Sequence, residues 1–122
     1  MLSARHRLKD KKEFNALFRG GQTFSNDVLL MKVGSGKAGE ASHFGFAVGV
    51  KFSKKAVERN RVKRWMREAV RGKIKQVQFG KNIVFLVNPR FPKDGLSLTL
   101  IEEKVENLLK KAKIYPIENP IS

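Results

Sequence analysis

Residues 43–88, HFGFAVGVKFSKKAVERNRVKRWMREAVRGKIKQVQFGKNIVFLVN, set the architecture of this chain. The stretch 43–50 reads as a strand, although Gly45 and Gly49 point to a bulge or a close backbone approach within it. From about Ser53 to Arg71 the spacing is helical. At 100° per residue, Val62, Trp65, Met66 and Ala69 fall within an arc of about 100°. Asn60, Lys63, Arg64, Arg67 and Arg71 occupy the opposite arc, with Arg59 and Arg61 at its boundaries. Residues 82–88 (NIVFLVN) form a continuous apolar run stopped by Pro89, as expected of a strand buried on both faces. Strand, helix and strand together predict a βαβ unit.

Upstream of this segment, Asp10 with Glu13 three residues later predicts a helix start, and Phe14, Leu17 and Phe18 form its apolar side. Gly20 and Gly21 stop that helix. Residues 23–33 (TFSNDVLLMKV) read as one strand, and GSGKAGE at 34–40 as a flexible connection. Downstream, a last helix starts near Thr99 with Glu102 in a capping box, and carries Leu98, Ile101, Val105, Leu108 and Ala112 as its stripe. The expectation is one domain over 1–114, with a flexible tail over 115–122 that contains two prolines.

The chain has 122 residues, 26 of them Lys or Arg and 11 Asp or Glu, for a net charge of +15. That exceeds the magnitude of about 2–8 that serves solubility in a small domain. The excess is concentrated. Residues 51–75 carry +9, residues 1–19 carry +4, and residues 20–50 and 93–122 each balance. A polyanion, nucleic acid above all, is the partner such a segment suits. With 41% apolar residues the chain can bury a core. No stretch reaches the roughly 20 apolar residues of a membrane span, and the amino terminus lacks a signal-peptide core. The absence of cysteine excludes a disulfide framework and fits a cytoplasmic protein.

Other chemistry fails on spacing. Gly34-Ser35-Gly36-Lys37-Ala38-Gly39 lacks the first glycine and the hydroxyl of a phosphate loop, with Met31 and Ala38 at those positions. His6 and His43 have no partner nearby in sequence, so neither a metal site nor a histidine base is expected. Asp10 and Glu13 serve a helix start better than they serve as paired catalytic carboxylates. Met31, Met66 and Trp65 read as core. A protein-borne active site is not predicted.

Arg59-Asn60-Arg61-Val62-Lys63-Arg64, followed by Trp65-Met66-Arg67-Glu68, resembles the RNR signature of the bacterial ribonuclease P protein family. Arg7-Leu8-Lys9, Phe14, Phe18 and Gly20-Gly21 resemble that family's amino-terminal pattern, and Gly45-Phe46-Ala47-Val48 its strand before the signature helix. Order and spacing agree over roughly residues 5–110. There are two departures: Val50-Lys51 where a lysine pair is common, and Lys32 where the first strand commonly has an aromatic residue.

The resemblance implies an α+β two-layer sandwich similar to the second domain of ribosomal protein S5. It would hold about four strands in a mixed sheet, three helices mainly on one face and a left-handed βαβ crossover. It implies the protein subunit of an endoribonuclease whose RNA subunit cleaves the 5′ leader from precursor tRNA, with magnesium bound mainly by that RNA and none by a protein motif. Its partners would be ribonuclease P RNA and precursor tRNA, with no membrane and no dedicated protein partner. Lys54, Lys55, Arg59, Asn60, Arg61, Lys63, Arg64, Arg67 and Arg71 would face the catalytic RNA. Phe14, Phe18, Arg7, Lys9 and Lys32 would serve the leader, in a cleft between the first helix and the sheet. The residues alone leave core packing open for Phe14 and Phe18. A structural ribosomal RNA-binding protein is the alternative, and a metal-dependent nuclease acting alone is the weakest reading.

Overall fold

In the computed structural model, which describes residues 6–8 and 11–117, the stretch 23–33 is two strands rather than one. β1 (Gln22–Ser25) and β2 (Leu29–Ser35) pair as an antiparallel hairpin. Asn26 makes the turn. Its side-chain oxygen accepts from the backbone N–H of Val28 at 3.1 Å and of Leu29 at 2.8 Å, which bends the chain where apolarity alone reads as continuous. The Asn26 amide also donates to the Lys104 carbonyl and to Asn107 Oδ1, and Asp27 pairs with Lys104 at 2.9 Å. The turn is thus fastened to a helix far along the chain.

The other elements are α1 (Lys11–Gly20), β3 (His43–Ala47), α2 (Ala56–Arg71), β4 (Lys81–Val87) and α3 (Leu98–Lys111). The sheet order is β1-β2-β4-β3, with β4 antiparallel to β2 and parallel to β3. β3, α2 and β4 are therefore the predicted βαβ unit. β3 stops at Ala47, short of the expected residue 50, because the chain turns there and the Phe52 N–H bonds the Gly49 carbonyl. α2 starts at Ala56 rather than Ser53. α3 starts at Leu98, just before Thr99, and its N-cap is Ser97, whose hydroxyl accepts from the Leu100 N–H. The Asp10 start of the first helix lies outside the described residues.

The two faces of the sheet differ. Leu29, Met31, Val33, Ile83, Phe85, Val87 and Phe44 point to one side, where α2 and α3 pack on each other and on the sheet. Leu30, Lys32, Gly34, Val84, Leu86 and Ala47 fall on the other. On that side α1 lies across one end, with Leu17 buried against Gly34. Two of the three helices thus form one layer, as expected, and α1 leaves part of the second face uncovered. Gly21 permits its approach, since a Cβ there would stand 2.9 Å from the Leu17 carbonyl oxygen and 3.0 Å from that of Val33.

Of the expected tail, Ile117 donates its N–H to the Gln76 carbonyl and Tyr115 packs on the core. Residues 118–122 lie outside the described residues. Replacing Asn26 removes the turn bonds and the tie to α3 together. Asn26→Ala is expected to lower stability by about 1–2 kcal/mol, read as a lower urea midpoint at unchanged slope.

Candidate nucleic-acid interface

α2 buries Val62, Met66, Ala69 and Val70 against the sheet and α3. Val70 extends the stripe read from sequence, and Trp65 sits at its margin, half-buried. Burying that side forces the opposite arc outward. Asn60, Arg61, Arg64 and Arg71 are exposed, and Arg59, Lys63 and Arg67 are half-buried. Long cationic stems lie along apolar surface while their charged ends stay in water, so partial burial does not remove these charges. The Arg61 guanidinium lies over the Trp65 ring, 5.5 Å from its centroid, which ties the edge of the cationic face to the core.

The cations differ in what they already hold. Arg71 is ion-paired with Glu68, its Nε donating to Oε2 at 3.1 Å. That contact holds the Glu68 carboxyl below its usual value and raises Arg71. Arg71 is therefore partly neutralised. Arg59 donates from Nη1 to the Ser53 carbonyl at 2.9 Å, so it also fastens the loop that precedes its own helix. Ser53 is buried, and its hydroxyl is hydrogen-bonded to Glu58 while accepting from the Lys55 N–H. Glu58 also meets Lys93 at 3.1 Å. Both acidic residues of this segment are engaged. The loop holding Lys54 and Lys55, both exposed, is braced by Arg59, Glu58 and Ser53.

The second candidate surface is the open sheet face. A cavity of about 290 Å³ lies between α1 and the sheet, lined by Ala16, Leu17, Gly20, Gly21, Gly34, Ser35 and Asn82. Lys32 stands on the same face, half-buried, its ammonium 3.1 Å from the Thr23 hydroxyl on β1. Leu30, Leu86 and Ala47 continue the face toward its far end. Arg7 is placed elsewhere. It bridges Phe44 on the outer edge of β3, where the Leu8 N–H donates to the Phe44 carbonyl at 2.8 Å. β4 and β3 therefore stand between Lys32 and Arg7. Lys9 and the side chains of Phe14 and Phe18 lie outside the described residues.

No local pattern signals the Ser53–Glu58–Lys93 brace, because Glu58 and Lys93 meet across 35 positions. The same holds for an exposed ring, Phe79, which shares a cavity with His43. Its only local signal is an aromatic residue in a polar connection.

The family model for ribonuclease P matches residues 2–113. The ribonuclease P protein component of Synechococcus sp. is 34% identical, over 93% of this chain and 86% of its own length. That of Clostridium kluyveri is 34% identical, over 90% and 96%. Among solved structures, the RNase P protein of Staphylococcus aureus superposes with a TM-score of 0.78 at 25% identity, covering 90% of this chain and 97% of that one. The RNase P protein of Thermotoga maritima gives 0.77 at 28%, covering 88% and 97%.

Glu58 supplies a pH test of the brace. Its carboxyl is held below the ordinary value of 4.5, first by the Ser53 hydroxyl and then by Lys93. A carboxyl lowered in the folded state adds stability that is present above pH 4.5 and is lost as pH falls through the lowered folded value. Glu58→Gln is expected to lower stability at neutral pH and to make the acid-side loss shallower, measured as urea midpoints across the acid range.

Proposed function

The chain belongs to the ribonuclease P protein family, and we propose that it acts with a catalytic RNA as the protein subunit of that endoribonuclease, holding the RNA on α2 and the precursor tRNA leader on the open sheet face. The observation that carries this reading is the segregation of α2: four residues buried on one side, an arc of Arg, Lys and Asn turned out on the other. Such an arc fits phosphate oxygens. Guanidinium groups bind them in pairs of hydrogen bonds, and each contact releases counterions from the RNA.

Within the arc the division of labour follows from what each side chain already holds. Arg64 and Asn60 are exposed on the outward face and offer their donors to RNA. Arg67 and Lys63 add charge along the same line. Arg59 fixes the loop carrying Lys54 and Lys55 and presents its remaining donors beside them. Arg71, paired with Glu68, contributes least.

The leader is single-stranded and variable in sequence, so its site should bind through backbone charge and stacking, which tolerate any base. The sheet face has the matching chemistry, with one lysine, Lys32, among small and aliphatic residues and α1 as a wall. Catalysis itself is assigned to the RNA subunit and its magnesium. The chain's net charge of +15 disfavours cation binding, and of its acids Asp27, Glu58, Glu68 and Glu106 are engaged with Lys or Arg. The protein's part is to position two RNAs and to screen their mutual repulsion. The cytoplasm is the compartment this reading implies.

Reconstitution tests this. The protein mixed with bacterial ribonuclease P RNA at low magnesium is expected to stimulate precursor tRNA cleavage over RNA alone, and no stimulation would overturn the reading. Arg64→Ala should weaken assembly with the RNA and lower the salt-dependence slope by about one, while Arg71→Ala changes it less. Lys32→Ala should weaken substrates with leaders while leaving leaderless tRNA unaffected, measured as binding to the assembled holoenzyme.

A further inference from the structure

Phe79 is half exposed, one of three large apolar side chains turned to solvent among the described residues. A single exposed ring is ordinary surface. Phe79, however, walls a cavity of about 450 Å³ together with Gly39, Glu40, Ala41 and His43. Its walls are fixed by backbone bonds: the Gly80 N–H donates to the Glu40 carbonyl at 2.8 Å, and the Gly36 N–H to the Gly80 carbonyl at 2.8 Å. Gly80 has φ +80°, a left-handed conformation that suits glycine and turns the chain immediately after Phe79.

The position of this cavity matters more than its size. β2 ends, and β3 and β4 begin, at the same end of the sheet. The cavity beneath α1 is lined by Asn82 at that end, and Asn82 is the register partner of His43, which lines the Phe79 cavity. The two cavities are neighbours across one strand pair. The loop with Lys54 and Lys55 and the start of α2 follow the other end of β3, and α2 then runs back to Arg71 on the opposite face of the sheet. A leader entering beside that loop would cross the open face, about 20 Å along the length of β2, and emerge beside His43.

Resting on the leader reading above, we propose that the Phe79 cavity takes an unpaired base from the distal, 5′ part of the leader, stacked on the phenylalanine ring. Glu40 lines the cavity, and its carboxylate repels phosphate, so the occupant is the base rather than the backbone. A carboxylate also accepts a hydrogen bond from a base amino group. The flanking chain suits the backbone on either side: residues 71–81 hold Arg71, Lys73, Lys75 and Lys81 with no acidic residue, and Lys37 lies in the loop packed on Gly80. Stacking is indifferent to sequence, as a site for variable leaders requires.

The test uses the assembled holoenzyme and precursor tRNAs with leaders lengthened one nucleotide at a time. The unmodified protein is expected to gain affinity in a step when the leader reaches the cavity. Phe79→Ala should abolish that step, a loss of about tenfold, and leave short-leader binding and RNA assembly unchanged. Phe79→Trp should retain it. A 2-aminopurine at the distal position should be quenched by the unmodified protein and not by Phe79→Ala. If affinity rises with leader length and Phe79→Ala follows the same curve, or loses equally at every length, this proposal is wrong and the leader reading stands. If the unmodified protein is indifferent to leaders of any length, both are wrong.

Discussion

A cation cannot be buried without a partner, and α2 carries six Lys or Arg against two acidic residues of its own. That constraint orients the helix. Val62, Met66, Ala69 and Val70 enter the core, and this fixes the roll of the helix about its axis, so Asn60, Lys63, Arg64 and Arg67 face away from the protein. The βαβ crossover then holds the apolar side of the helix toward the parallel pair β3 and β4 and leaves the cationic side outward. Packing and charge agree along the helix, with an apolar seam inside and a cationic surface outside.

The same core leaves the opposite face of the sheet partly unfilled. α2 and α3 occupy one side, and α1 covers only one end of the other, seated on Gly21 and Gly34 through Leu17. The uncovered part of that face presents half-buried Leu30, Lys32 and Leu86. In a chain whose outward helix suits one RNA, the open face supplies a second and separate surface. The charge near the amino terminus and the charge on α2 need not serve the same partner.

Local brackets position the groups proposed to meet RNA. The Ser53–Glu58–Lys93 contacts and the Arg59 bond to the Ser53 carbonyl hold the loop before α2, where a helix would otherwise begin with exposed and repelling lysines. The Asn26 turn ties the β1–β2 hairpin to α3, and so keeps Lys32 on a sheet whose edge would otherwise be free to twist. These are modest interactions. Their effect is to reduce the freedom of side chains that must meet a ligand in one arrangement.

Periodicity along the chain was enough to establish the amphipathic helix, its cationic arc and the two strands around it, while the family resemblance rested on motifs such as Arg59-Asn60-Arg61. A helix or a strand imposes its period locally, so a short window of residues carries the signal. The hairpin at Asn26 was blurred, because an asparagine within an apolar run acts through two backbone N–H groups and a distant helix rather than through hydrophobicity. Folding in three dimensions was needed to place α1 on the face opposite α2 and α3. It was needed as well to show that Arg59 and Arg71 are already partnered, that Arg7 and Lys32 stand two strands apart, and that Phe79 shares a cavity with His43 and Glu40 at the end of the open face. Each of these depends on strand order and register, which bring together residues far apart in the chain and are set by the packing of the whole.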